Sequence, residues 1–445
     1  MKNFETYLTG RMHKIISPVF FILMLLLFAF GFQQCSDICT DSRSIIYYEP
    51  VYTSVADLRA AIKNTPTVRE IVNPGKLYYL NGYIFINQPN EGLHVINNMN
   101  PQSPVYTSFI EIPGNFDLAG SGNYLFVDSY IDLVVLDVSD LQNVQETARV
   151  KNYFPDYNSY GYYYDADKGV VTDWLEVERI DEFKSDCNGG GYYLNEWGWG
   201  VYRGGIAMDV AMSSPQVSVA SSSPGIGGSL AGFTISGNRL FTISNSDLST
   251  VNISSPTSPM VELKMNIGWG LETVFPYGDL LFIGANNGMH ILDISNPLNP
   301  QVLSTYSHVL SCDPVVVQGD YAYVTLRDGT TCRNGGNLLE VVDISDPSSP
   351  TLVSSSPMFN PGGLGIDGTT LFVSDGSAGL KIFNATDLQN ITNNLIKAYP
   401  DIIAIDVIPF NSVLMVIAKD GFYQFDYSDP TAISLLSTID ITLNL

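Results

Sequence analysis

Hydrophobic positions along most of this chain fall in short runs broken by Gly, Asn, Asp and Pro, and the runs repeat. Seven segments share one apolar-then-polar pattern: LHVINNMNPQSP (93–104), LVVLDVSDLQNV (133–144), LSTVNISSPTSP (248–259), MHILDISNPLNP (289–300), LEVVDISDPSSP (339–350), LKIFNATDLQNI (380–391) and FYQFDYSDPTAI (422–433). The fifth residue is Asn97, Asp137, Asn252, Asp293, Asp343, Asn384 and Asp426, at intervals of 40, 115, 41, 50, 41 and 42 residues. An apolar run precedes each motif, as in Tyr83-Ile84-Phe85-Ile86 and Leu280-Leu281-Phe282-Ile283. Between run and motif stand hairpin signals such as Asn287-Gly288, Asp375-Gly376 and Asp420-Gly421. A further run comes before each pair, as in Phe116-Asp117-Leu118-Ala119, and another follows each Pro-rich turn, as in residues 105–110. Runs this short, rich in β-branched and aromatic residues, predict strands. Four strands per repeat of about forty residues predict the blade of a β-propeller.

The predicted fold is all-β: a propeller over 75–445 with seven four-stranded blades, or eight if the long interval hides a degenerate copy. The repeated Asp and Asn residues read as turn chemistry, because an Asx side chain can accept from nearby backbone N–H groups and stop the strand. The Pro beyond it blocks further ladder pairing. Residues 35–74 read as a tether, a strand and a short helix packing on the propeller. The strand-like Tyr47-Tyr48-Glu49-Pro50-Val51-Tyr52 is expected to pair with the last blade and help close the ring. Ser54 and Asp57 suit a capping box for a helix reaching about Lys63.

The strings MHILDISNP and LEVVDISDP resemble the LVIVD repeat, which is found in secreted and surface β-propeller proteins. All seven copies show the pattern, and the copies at 248–259 and 422–433 depart furthest from it. The resemblance implies the repeat and carries no catalytic signature to transfer.

Composition narrows the partners. The formal net charge is −24; residues 1–34 carry +2 (Lys2, Arg11 and Lys14 against Glu5), so residues 35–445 carry −26. Such a field repels phosphate backbones and argues against nucleic-acid binding.

The N-terminus reads as an export signal. Arg11, His13 and Lys14 precede an apolar run from Ile15 to Phe32, and Cys35 stands just beyond it. Residues 1–34 are expected to be a lipoprotein signal peptide, with Cys35 the lipidated first residue of the exported chain. Phe32 and Gln34 depart from the usual lipoprotein pattern, and an uncleaved anchor or plain secretion are the alternatives. Met12 is an alternative start. The expected location is the bacterial outer membrane or cell surface. Export permits disulfides. Cys312 and Cys332, at the ends of two strands of one repeat, are the expected pair, while Cys39 and Cys187 stay open, free or paired with each other.

The long interval holds an insertion, 151–229. Within 151–202 there are 14 aromatics in 52 residues, against 12% in the whole chain. Tyr162, Tyr163, Tyr164, Trp174, Trp197 and Trp199 are the candidate ligand platform, because exposed Tyr and Trp offer rigid contact area with a polar tip. The competing reading is a small β-subdomain with its own aromatic core. Residues 213–229, rich in Ser, Gly and Pro, read as a linker.

Candidate chemistry is sparse. No GxSxG or phosphate-binding Gly loop occurs, and beyond residue 34 the only histidines are His94, His290 and His308. His94 and His290 share the second position of the repeat motif, which strand geometry explains. Asp117, Glu272, Asp313 and Asp406 lie near the innermost strands and are candidate channel acids, for catalysis or a cation funnel. No cysteine–histidine cluster suits a metal. Residues 165–169 resemble half a calcium loop without the later ligands, so calcium is the one cofactor suggested. The leading reading is a non-enzymatic surface module binding a protein, peptide or glycan. The alternatives are a hydrolase or lyase using the channel carboxylates, and a structural subunit of an outer-membrane assembly.

Overall fold

The computed structural model describes residues 38–65, 67–155, 158–159, 162–186, 224–307, 314–328 and 336–441. The chain forms two compact units, residues 1–49 with 175–202, and residues 50–174 with 203–445. In the smaller unit the described residues are extended strand, and Tyr48 donates its hydroxyl to Glu176 Oε2 at 2.9 Å.

Among the described residues of the larger unit, seven four-stranded repeats of sheet follow one another along the chain. Their first strands are Leu77–Leu80, Leu118–Ser121, Phe233–Ser236, Leu271–Tyr277, Val315–Gln318, Leu364–Asp367 and Ala404–Phe410. Each leads into three more antiparallel strands in simple up-and-down order; the seventh continues through Val413–Ala418, Gly421–Asp426 and Ser434–Asp440. The first strands neighbour one another in cyclic order, with the seventh beside the first, so the arrangement is propeller-like. Second strands carry apolar residues on both faces at their centres because both faces are covered: Ile84, Phe85 and Ile86, like Leu125, Phe126 and Val127, are fully buried. Fourth strands alternate with solvent, as in Thr351–Pro357.

The repeated Asx residue does what the sequence predicts. In all seven sheets its side-chain oxygen accepts from the backbone N–H two residues on, at 2.8–3.0 Å: Asn97, Asp137, Asn252, Asp293, Asp343, Asn384 and Asp426. A shift in register between third and fourth strands also recurs in all seven.

Three local expectations change. The stretch from Tyr47 to Tyr52 belongs to the strand Ile38–Thr53, whose neighbour is Gly169–Asp186 and not the last sheet. The first and seventh sheets instead meet through side chains. Asn98 and Gln424 exchange two amide hydrogen bonds at 2.8 Å, Ser437 donates to the Pro101 carbonyl, and Ile84, Ile96, Met415 and Phe422 share one apolar cluster. The helix is capped by Ser54 as expected but spans Val55–Ala60, because Lys63–Thr65 pairs with Val105–Glu111 as an extra outer strand of the first sheet. Residues 224–229 are no linker: Ile226–Gly227 pairs with Leu77–Leu80 on the inner edge of that sheet.

Candidate functional site

Strand register fixes the inner ring. The residues that precede Leu77, Leu118, Phe233, Val274, Val315, Leu364 and Val407 occupy equivalent places, since each of those seven pairs with the fourth residue counted from the start of the second-strand pairing. Those places hold Lys76, Asp117, Gly232, Thr273, Pro314, Gly363 and Asp406. Two of the predicted channel acids, Asp117 and Asp406, therefore sit at one level, on either side of Lys76 in cyclic order. Glu272 is one residue further out along its strand, and Asp313 lies outside the described residues.

The middle of the ring is occupied by the chain itself. Residues 224–232 cross it on the way into the third sheet. Gly225 N donates to Gly120 O, Gly228 N to Leu77 O, and Val274 N to Ala231 O. Ser229 ties the segment to two sheets: its N and Oγ both donate to Asp406 Oδ1, at 3.1 and 3.0 Å, and its Oγ accepts from Leu364 N at 2.7 Å. This short segment thus joins the first, second, fourth, sixth and seventh sheets. It is rich in glycine because it runs against carboxylates: a Cβ on Gly228 would stand 1.8 Å from Asp406 Oδ2.

The two ring acids are engaged with this segment. Asp117 Oδ2 takes the Lys76 ammonium and the N–H of Gly232, and Oδ1 takes Leu118 N. Burial pushes the Asp117 carboxyl up, and the Lys76 charge opposes that shift. Asp406 is pushed well above the usual carboxylate range by burial. Its Oδ2 has no partner among the described residues.

Asp128, at the fifth position of its strand, packs behind Asp117. Its Oδ1 accepts from Asn115 Nδ2, Phe116 N and Asp117 N, each at 2.8 Å. Burial, reinforced by the Asp117 charge against the backbone hydrogen bonds, pushes it up to about 7. Because the folded value is raised, the Asp128 contribution to stability is complete in acid and is lost as pH rises through about 7. Asp128→Asn keeps the acceptor and cannot ionise. The melting temperature of the variant minus that of the wild type should rise between about pH 4.5 and about pH 8; a difference that does not change would show that Asp128 stays charged.

Glu272 is pushed up to about 7 by burial, opposed by the charge of Arg327. With the Asn286 amide turned to match its neighbours, Nδ2 donates to Glu272 Oε1 at 2.6 Å.

The insertion aromatics divide. Tyr163 bonds Tyr52 hydroxyl to hydroxyl at 2.8 Å. Tyr164 packs against a core cluster of Leu58, Tyr130, Ile131 and Val170. Trp174 is partly exposed on the strand Gly169–Asp186. Tyr153 and Phe154 are core: Tyr153 bonds Thr242 Oγ1 and Phe154 stacks on Phe233 at 5.9 Å. The Tyr162 side chain, Trp197, Trp199, Cys35, Cys187, Cys312, Cys332 and the Cys39 side chain lie outside the described residues, as does the segment 1–34. Asp165 Oδ1 accepts from Asp167 N and Lys168 N, closing a hairpin turn where the half calcium loop was read. No group of three metal-ligating side chains occurs among the described residues.

Sequence reasoning missed Lys76, Asp128 and Ser229. Lys76 and Asp128 were within reach, by aligning the copies one residue before the first strand and at the end of the second. Ser229 carries no local signal.

The family model described as LVIVD repeat matches residues 116–152, 273–308 and 311–356, so the chain carries LVIVD repeats at those three places. No curated protein matches the chain. Among solved structures, the computationally designed Ika8 protein is similar at 9% identity and a TM-score of 0.48, over 84% of this chain and 91% of that one. Hsv2 of Kluyveromyces lactis is similar at 13% identity and 0.44, over 83% and 100%. A functionally unknown protein from Desulfotomaculum acetoxidans is similar at 10% identity and 0.44, over 83% and 100%.

Proposed function

We propose that the larger unit is a seven-bladed β-propeller acting as a non-enzymatic binding module. It is exported, held through a lipid on Cys35 at the bacterial outer membrane or cell surface, and takes a protein, peptide or glycan. The observation that carries the reading is the central segment 224–232, whose Ser229 and Gly232 occupy Asp406 and Asp117. Carboxylates committed to backbone donors and to Lys76 are framework, and a partner is left to the loops and the insertion. Glu272, raised to about 7 beside Arg327, favours one second reading, a hydrolase or lyase in which it moves a proton.

The test replaces residues 187–212 by a short Gly-Ser linker. These bounds keep Tyr153, Phe154 and the central segment in place. Peptide and glycan arrays are probed with both forms, and thermal melts establish that both fold. Binding by the full chain that vanishes in the shortened one is the expected result. No binding by either folded form would sink the ligand-platform reading and leave a structural partner or the Glu272 chemistry. Incorporation of labelled palmitate in a Gram-negative host, lost in Cys35→Ser, is expected alongside; label retained by the variant would overturn the anchor.

A further inference from the structure

Trp269 is the one tryptophan outside the insertion, and it is 67% exposed. It sits between Gly268 and Gly270 in the loop that joins the third sheet to the fourth. The loop is fastened at both ends to one hairpin of the third sheet. Ile267 N donates to Ser246 O at 3.0 Å, and Gly270 N to Asn245 O at 2.8 Å. Behind it lies His290 of the fourth sheet, 7% exposed. His290 Nδ1 is 2.9 Å from Thr305 Oγ1, and Nε2 has no partner among the described residues. Burial holds the imidazole below its ordinary value, so it is neutral. A buried nitrogen left without a hydrogen bond is unusual in a folded chain. Gly268 stands beside it: a Cβ there would be 3.6 Å from Nε2 and, beyond the adjoining residues, would meet only the imidazole. The side chains of Asn245, Asn266 and Asn287 are exposed on the loop and the hairpins bonded to it, and Asp247 is matched by Lys264 at 3.2 Å.

Strand register supplies a comparison. Phe359, 60% exposed, stands five residues before Leu364, as Trp269 stands five before Val274. His290 pairs with Ile283, and the matching residue of the sixth sheet, paired with Val373, is Lys381. Lys381 is bonded to Asp375. The Trp269 copy thus joins an exposed ring to an unsatisfied nitrogen, and the Phe359 copy does not.

We infer that the Trp269 loop binds a neutral sugar, one pyranose stacked by its C–H face on the indole and sharing a hydroxyl with His290 Nε2. The indole offers a flat, rigid apolar face with little side-chain entropy to lose. A hydroxyl both donates and accepts, so it suits a neutral imidazole nitrogen in either tautomer. A turn of the Gly268 peptide between its two anchors brings that nitrogen within reach. A purely apolar ligand would leave Nε2 as it is, and an anion would meet the −24 of the chain. Two sources share this chemistry, a single sugar and one unit of a longer glycan. The site is separate from the insertion and does not rest on the reading given for it.

The experiment uses the full chain labelled with 5-fluorotryptophan and methyl β-D-glucopyranoside as probe. The fluorine resonance missing from Trp269→Phe is that of residue 269. It should move saturably, with a dissociation constant on the order of 1 mM, while the insertion resonances stay in place. The same ring without hydroxyls, 2-methoxytetrahydropyran, should bind at least about tenfold more weakly. Saturation-transfer NMR of the probe then compares variants that melt like the wild type. Trp269→Leu should weaken it by about tenfold or more and His290→Phe by about fivefold, and Phe359→Leu should leave it unchanged. No movement at residue 269, movement of an insertion resonance in its place, equal binding of the hydroxyl-free ring, an equal shift with tetramethylammonium, or equal loss in Phe359→Leu would each overturn the inference. Because residue 269 and the insertion give separate signals, failure here is distinguishable from failure on the arrays. Cellotetraose acting at lower concentration than the methyl glycoside assigns a glycan chain, and equal concentrations assign a single sugar.

Discussion

Lys76→Met should lower the unfolding free energy by about 3–5 kcal/mol, the largest loss expected from any single polar change in this molecule. The Lys76 and Asp117 side chains are 7% and 9% exposed, so the ammonium and carboxylate meet almost out of water. Removing the cation leaves a charge that must either stay buried alone or take up a proton. Either way Asp117 still has to hold Gly232 N, so the effect reaches the central segment. The double variant Lys76→Met/Asp117→Asn should recover part of the loss, because no charge is then left behind and the asparagine oxygen still accepts from Gly232 N. Guanidinium unfolding followed by tryptophan fluorescence measures all three chains. A loss below about 1 kcal/mol for Lys76→Met would mean that the pair is solvated and that the ring is held by packing alone.

The second large effect is steric. A Cβ on Gly363 would stand 2.2 Å from Asp406 Oδ1 and 2.8 Å from Asp406 Cα. A side-chain oxygen can turn away, but a neighbouring backbone in the adjacent sheet cannot. Gly363→Ala should therefore destabilise by about 1–3 kcal/mol or more. The comparison that decides the cause is with Gly228→Ala, whose Cβ would meet only the Asp406 carboxylate, at 1.8 Å from Oδ2. Shortening the acid in Asp406→Ala should make the added cost of Gly228→Ala small and leave most of that of Gly363→Ala. Equal rescue of both would place the clash at the carboxylate alone; rescue of neither would mean that the segment does not run where Ser229 and Asp406 put it.

Much of this fold is written locally. Each third strand ends where an Asx side chain takes the N–H two residues on, and this needs nothing from elsewhere in the chain, so the seven turns could be read from Asn97 to Asp426. His94 and His290 also follow from register: they pair with Ile86 and Ile283 at matching places in their sheets. Burial holds the His94 imidazole down to about 3, with Gln88 Oε1 2.8 Å from Nε2. The site was less legible because its parts are non-local. A glycine- and serine-rich stretch is the composition of a linker, and it is equally what a strand needs to run against Asp406 and Tyr78; a Cβ on Gly225 would stand 2.3 Å from the Tyr78 ring. Local sequence does not separate the two uses. The same holds for Tyr47 to Tyr52, whose alternation predicts a strand and says nothing of which strand it joins. Asp117 and Asp406 could be placed near the inner strands, but not that each would be turned onto the backbone of residues 224–232.

The central segment also constrains the order in which the molecule can be made. It is synthesised before the third sheet, yet two of its anchors, Leu364 N and Asp406, belong to the sixth and seventh. A repeat array held only by contacts between neighbours can mature unit by unit as it leaves the ribosome. Here the central segment stays incompletely fastened until the sixth and seventh sheets emerge, so the first sheets cannot reach their final state ahead of them. Native folding is thereby coupled to emergence of the seventh sheet, and loss of that sheet would loosen the hub as well as the rim.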